Sequence, residues 1–119
     1  MSVQKIKKME KKYYVATDCP ITAALDVIGG KWKPIILWLL MERPYRFGEL
    51  HKSMPGIALK VLSRQLKELQ EDGLINRQVF AEVPPRVEYS LTEKGDTLEP
   101  VLHRLADWGR VQVLKPALA

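Results

Sequence analysis

The chain has 119 residues, 46% apolar and 28% charged, with a net charge of +5, enough for one compact domain with a true core. Its single cysteine, Cys19, excludes an intramolecular disulfide and a cysteine-rich metal site. The longest apolar run, PIILWLLM from Pro34 to Met41, is too short to span a membrane, and no secretory pattern follows the first lysines, so a cytoplasmic protein is expected.

Residues 1–18 read as a basic flexible arm, in which Lys5, Lys7, Lys8, Lys11 and Lys12 stand against Glu10 and Asp18 for a net +3. Pro20 suits a first helical turn. Ile21, Ala24, Leu25 and Ile28 follow at helical spacing up to a Gly29-Gly30 stop. Trp32 to Met41 predicts a second helix, apolar nearly all round and therefore buried, with Pro34 tolerable only in its first turn. Arg43-Pro44 breaks the chain, and Tyr45 to Met54 predicts a short helix with Phe47 and Leu50 inward. Pro55-Gly56 is a strong turn signal. After it, Leu59, Leu62, Leu66 and Leu69 form one apolar stripe that Asp72-Gly73 ends. Leu74 to Phe80 and Arg86 to Leu91 alternate as strands, joined by AEVPP, whose two prolines stiffen the tip. Thr92 suits an N-cap for a last helix carrying Leu98, Val101, Leu102, Leu105 and Trp108 on one face, with a kink at Pro100. The expected architecture is α+β and mainly helical, with a domain over 19–110 and a tail over 111–119.

Two short helices joined by a PG turn, with a hairpin just after, match the plan of a winged helix-turn-helix, whose second helix enters the DNA major groove. At about 100° per residue, Lys60, Arg64 and Lys67 share a face away from the leucines, with Ser63 beside them. These cations can donate to guanine or phosphate, Ser63 and Gln65 can bond base edges, and Val61 can meet a thymine methyl. An ordinary solvated helix face would carry the same charges. The turn before and the hairpin after favour the groove reader. From Arg46 to Lys67 five cations face Glu49, a net +4, whereas from Glu68 to Asp107 four cations face nine anions, a net −5. That asymmetry suits a protein that meets phosphate on one side. Arg86, where the hairpin leaves its tip, is placed to touch the backbone or enter the minor groove.

The apolar face of the last helix (Leu98, Leu102, Leu105 and Trp108) suits a partner surface, most simply a second copy, or packing on the first helix of its own chain. Cys19 precedes Pro20 at a helix start, where the dipole favours thiolate, although a lone cysteine is commonly inert. His51 and His103 have no partners at ligand spacing and read as surface or packing residues. No catalytic constellation, cofactor loop or metal site is present in the sequence, so no enzyme and no cofactor are expected.

The segments CPITAALDVIGGKW, RFGEL, PGIALKVLSRQLKELQEDGLI, VPPRVEYSLTEKG and ADWG, spread from Cys19 to Gly109, together resemble the HxlR-type, MarR-like winged-helix transcriptional regulators. The resemblance implies a homodimer that binds operator DNA, often an inverted repeat, and represses or activates nearby genes. It implies a recognition helix in the block from Ile57 and a wing over 75–91. It also implies a dimer interface built by the first and last helices, hence by Leu25, Ile28, Leu102, Leu105 and Trp108. A cysteine at the position of Cys19 recurs in the family, and some members sense oxidants or electrophiles through it. The chain departs from the family at Ala58, where a Ser or Thr usually follows the GI pair, so a hydroxyl cap and phosphate contact are not expected there. The DNA-binding set is thus Lys60, Val61, Ser63, Arg64 and Lys67, with Arg46 and Arg86. Regulation is left open between oxidation at Cys19, a small ligand between the dimer helices, and abundance. A winged helix that binds an acidic protein partner is the alternative function.

Overall fold

The computed structural model describes residues 19–115; the basic arm expected over residues 1–18 lies outside them. The elements are α1 (Pro20–Ile28), α2 (Trp32–Glu42), β1 (Tyr45–Arg46), α3 (Phe47–Ser53), α4 (Leu59–Glu71), β2 (Ile75–Phe80), β3 (Arg86–Leu91), α5 (Glu93–Asp96) and α6 (Glu99–Gly109). The antiparallel sheet has the order β1-β3-β2. This is a mainly helical winged helix-turn-helix fold, with one more strand than the hairpin predicts.

Local sequence explains most element ends. Pro20 occupies the first turn of α1, where its missing N–H is no loss. The α1 stop uses both glycines: Gly29 donates to the Leu25 carbonyl at 2.8 Å, and Gly30 takes a φ of 89° that a β-carbon would disfavour. At the end of α4, Leu74 N–H reaches the Leu69 carbonyl and Gly73 N–H reaches that of Gln70, both at 3.0 Å, with Gly73 at φ 76°. This is a complete Schellman cap. Ala58 precedes α4 without a side-chain cap, as its lack of a hydroxyl requires.

Several expectations change. Tyr45 and Arg46 do not begin α3 but form β1, pairing with Tyr89 and Glu88. Arg43-Pro44 sets the extended entry, and Tyr45 becomes buried by joining the sheet. The helix from Thr92 is two helices. Thr92 does cap, its hydroxyl accepting from Gly95 N–H at 3.0 Å, but the four-residue α5 then gives way to α6. Pro100 falls in the first turn of α6, where it removes no intrahelical bond and therefore produces no kink. Residues 110–114, which the sequence places mostly in a tail, continue the helix as a π-helical turn. Nor is α2 buried all round, since Ile35 and Trp38 reach the surface.

The core joins Ile36, Leu37 and Leu40 of α2, Leu50 of α3, Leu62, Leu66 and Leu69 of α4, and Ile75 and Tyr89 of the sheet. Leu59, spaced as a member of this stripe, is 57% exposed. Its angular position suits the stripe, but it lies on the first turn, at the end of the helix. Among the described residues one charge enters the core region: Lys33 of α2, 8% exposed, places Nζ 2.7 Å from Glu68 Oε1 of α4.

Behind the wing, Thr92 Oγ1 donates to the Gly73 carbonyl at 2.6 Å and Lys94 Nζ to that of Asp72 at 3.0 Å. Gly95 lies so close to the Leu74 backbone that a β-carbon would collide with it. Gly95→Ala should therefore destabilise the fold by about 1–3 kcal/mol through overpacking, and Leu66→Ala by about 2–5 kcal/mol through an unfilled cavity. Urea unfolding midpoints, read at unchanged slope, measure both.

Candidate nucleic-acid interface

The helix-turn-helix is α3, the turn at Pro55-Gly56, and α4. Met54 N–H meets the His51 carbonyl and Ile57 N–H meets that of Met54, each at 3.2 Å, while Gly56 takes φ 92°. Met54 and Ile57 anchor the turn in the core, and His51 Nε2 lies 3.1 Å from the Ile57 carbonyl. His51 is thus a turn-bridging residue, consistent with its expected packing role.

Burial of Leu62, Leu66 and Leu69 turns the opposite side of α4 outward, and Lys60, Ser63, Arg64 and Lys67 are all exposed there. These four residues come together as the sequence spacing requires. Val61 is less exposed than these four: it is half-buried and packed against the core. Gln65 is also half-buried and lines a polar groove with Lys31, Lys33, Glu68 and the end of α1.

Arg46 lies at the end of β1, with its side chain exposed beside α3. Its backbone N–H donates to Glu49 Oε1 at 2.9 Å, a bond that holds the Glu49 carboxyl below its ordinary pKa, with further help from the Arg43 side chain. On the wing, Arg86 is not the free cation the sequence suggests. Its side chain is 23% exposed, its Nε and Nη2 reach the two oxygens of Glu82 at 3.3 and 3.0 Å, and Nη1 pairs with Glu88 Oε2. The guanidinium lies over the Phe80 ring, 3.9 Å from its centroid. Hydrogen bonding to Glu82, aided by the charge of both carboxylates, raises the Arg86 pKa. Sequence reasoning also left out Arg77, an exposed cation on β2; its place in a strand beside α4 was the available signal.

The residues implied for a dimer interface divide. Ile28 and Leu102 are buried in their own core and Leu98 is half-buried against it, whereas Leu25, Leu105 and Trp108 are 58%, 55% and 61% exposed. Within the chain, α6 packs on α2, where Trp38 meets His103 edge-on with ring centroids 5.0 Å apart. Cys19 sits at the N-cap of α1 and is partly accessible. Its pKa is lowered, first by a hydrogen bond from the Thr22 side chain and then by the backbone of Thr22 and Ile21. Among the described residues no group of His, Cys, Asp and Glu could hold a metal ion, and no helix is long and apolar enough to cross a membrane.

The HxlR-like helix-turn-helix family model matches residues 27–116. The HTH-type transcriptional regulator YdeP of Bacillus subtilis is 53% identical over 91 residues, covering 76% of this chain and 71% of YdeP. Among solved structures, the redox regulator HypR in its oxidized form superposes with a TM-score of 0.75 at 47% identity, covering 77% of this chain and 95% of HypR. The reduced transcriptional regulator YodB from B. subtilis superposes with a TM-score of 0.71 at 37% identity, covering 82% of this chain and 96% of YodB. With its fold, its helix-turn-helix and these relatives in agreement, the chain belongs to the HxlR-like helix-turn-helix family of transcriptional regulators.

Proposed function

We propose that the chain is a homodimeric, sequence-specific DNA-binding regulator that reads operator DNA through α4 and responds to oxidation of Cys19. The observation that carries the DNA reading is the division of α4: three leucines buried on one side, and Lys60, Ser63, Arg64 and Lys67 exposed together on the other. A helix fixed by its apolar side offers its cations at a constant angle, which groove reading requires. The lysines supply phosphate attraction, and Arg64, with two parallel donors, suits a guanine edge.

Dimerisation is supported by unpaired apolar surface on both terminal helices. Ile21 and Leu25 of α1 and Val101, Leu105 and Trp108 of α6 repeat at helical spacing and remain exposed in the single chain. A two-fold pair burying those faces would set two α4 helices about one DNA turn apart, roughly 34 Å.

The redox reading rests on the lowered pKa and accessibility of Cys19 and on the likeness to redox regulators. Because the chain has one cysteine, oxidation joins two thiols from different molecules. Two chains, or one chain and a small thiol, give up two protons and two electrons to the oxidant and form one S–S bond. A lowered folded-state pKa means that deprotonation favours the folded helix start. That contribution is present above the unfolded-state pKa and is lost as pH falls through the lowered one.

Measurements of DNA binding, assembly and thiol reactivity test this. Arg64→Ala should weaken binding to the intergenic DNA beside the protein's own gene by about 1–3 kcal/mol. Lys60→Ala or Lys67→Ala should instead flatten the salt dependence by about one unit for each phosphate left unneutralised; unchanged gel-shift titrations remove these residues from the interface. Leu105→Glu and Trp108→Glu should convert a dimer to monomer in light scattering, and a dimer that persists rejects this interface. The rate of Cys19 alkylation should rise through a lower pH midpoint than in urea-unfolded chain, and Thr22→Val should move it back up. If diamide leaves DNA affinity unchanged, Cys19 is not a sensor.

A further inference from the structure

The wing's outward face contains its own counterions. Along β3, Val87 and Tyr89 turn toward the core, so Arg86 and Glu88 face away from it. Register places Phe80 opposite Arg86, and places Gln78 on one side of Glu88 and Arg46 on the other. Glu88 therefore stands between the two arginines, Arg46 and Arg86, that the sequence offers for DNA outside α4. All three guanidinium nitrogens of Arg86 already have carboxylate partners: Nε and Nη2 on Glu82, and Nη1 on Glu88. Phe80 covers one face of the group. Three of the five N–H donors of Arg86 are thus taken, and a phosphate approaching the other two meets the repulsion of both carboxylates, one of them held in a bidentate, partly buried pair stronger than an ordinary surface ion pair. The hairpin from 75 to 91 holds Arg77 and Arg86 against Glu82 and Glu88, so it carries no net charge, while α4 beside it presents three cations.

Resting on the DNA-binding reading above, we propose that Glu82 and Glu88 are selectivity determinants. By keeping Arg86 as an internal ion pair, they withhold it from sequence-independent phosphate attraction and leave more of the binding strength to α4. Phosphate contacts act on every sequence equally, whereas base contacts discriminate. A freed Arg86 would thus raise affinity for all DNA and narrow the margin between operator and bulk.

The test compares the full chain with Glu82→Gln, Glu82→Gln/Glu88→Gln and that pair combined with Arg86→Ala, on a short mixed-sequence duplex over a range of salt by fluorescence anisotropy. One additional arginine–phosphate pair should steepen the salt slope by about 0.9, which at ~0.15 M salt corresponds to about fivefold tighter binding. The double variant should show this tightening, and adding Arg86→Ala should cancel it. Glu93→Gln/Glu99→Gln makes the same change in net charge away from the wing and should tighten binding less. The exposed-tip variant Glu82→Gln should give part of the effect with an unchanged melting temperature, which covers misfolding of the double variant. Mixed-sequence affinity equal to that of the parent, a tightening that survives Arg86→Ala, or an equal one from the Glu93/Glu99 pair overturns the proposal. If the parent binds its own intergenic DNA, such a result leaves the DNA-binding reading standing; if the parent binds no duplex at all, both fall.

Discussion

Burial of Leu62, Leu66 and Leu69 in the core that α4 shares with α2 and β2 is the interaction on which the rest of the molecule depends. The hydrophobic effect has no direction of its own, yet on a helix with period 3.6 it acquires one. Once three leucines are under the core, the opposite face has to meet solvent, and its chemistry is whatever the intervening residues carry. Function on α4 is in this sense a by-product of packing: the cations need no partner to hold them outward.

The wing stands where it does because the end of α4 is tied into it. The Schellman cap at Gly73 turns the chain into β2, Thr92 and Lys94 return from β3 to the carbonyls of Gly73 and Asp72, and Gly95 lets α5 approach the Leu74 backbone. Helix and hairpin thus share one polar knot made almost wholly of backbone carbonyls. β1 contributes from the other side, covering two residues of β3 that would otherwise be an open sheet edge.

Periodicity and turn chemistry made much of this legible in the sequence. The α4 stripe, the glycine stops and the β3 boundaries are local signals, and they emerged where those signals put them. What escaped was decided by tertiary partners. Tyr45 and Arg46 form a strand because β3 lies beside them, which no local propensity announces. Leu59 has the spacing of a core residue but lies on the first turn of its helix, and Val61 has the spacing of a surface residue but finds a core to pack on. Arg86 shows the limit most clearly. Its position at the hairpin suggests a free cation, and only the register that brings Glu88, Phe80 and Glu82 around it reveals a neutralised one. Ile28 and Leu102, which the resemblance implies for a dimer interface, are likewise buried in the core of the single chain.

The buried Lys33 and its partner Glu68 add a constraint of a different kind. The leucines fix which side of α4 faces α2 and leave only a small residual roll of the helix about its own axis. A charged bond from a nearly buried donor does resist it, because rolling would pull the carboxylate off the ammonium. With that residual roll restrained, the exposed cations of α4 hold one direction relative to α2. In the proposed dimer, adjustment to half-site spacing would then fall to the packing between subunits and not to α4, so the geometry of reading and the geometry of assembly would be separate design variables.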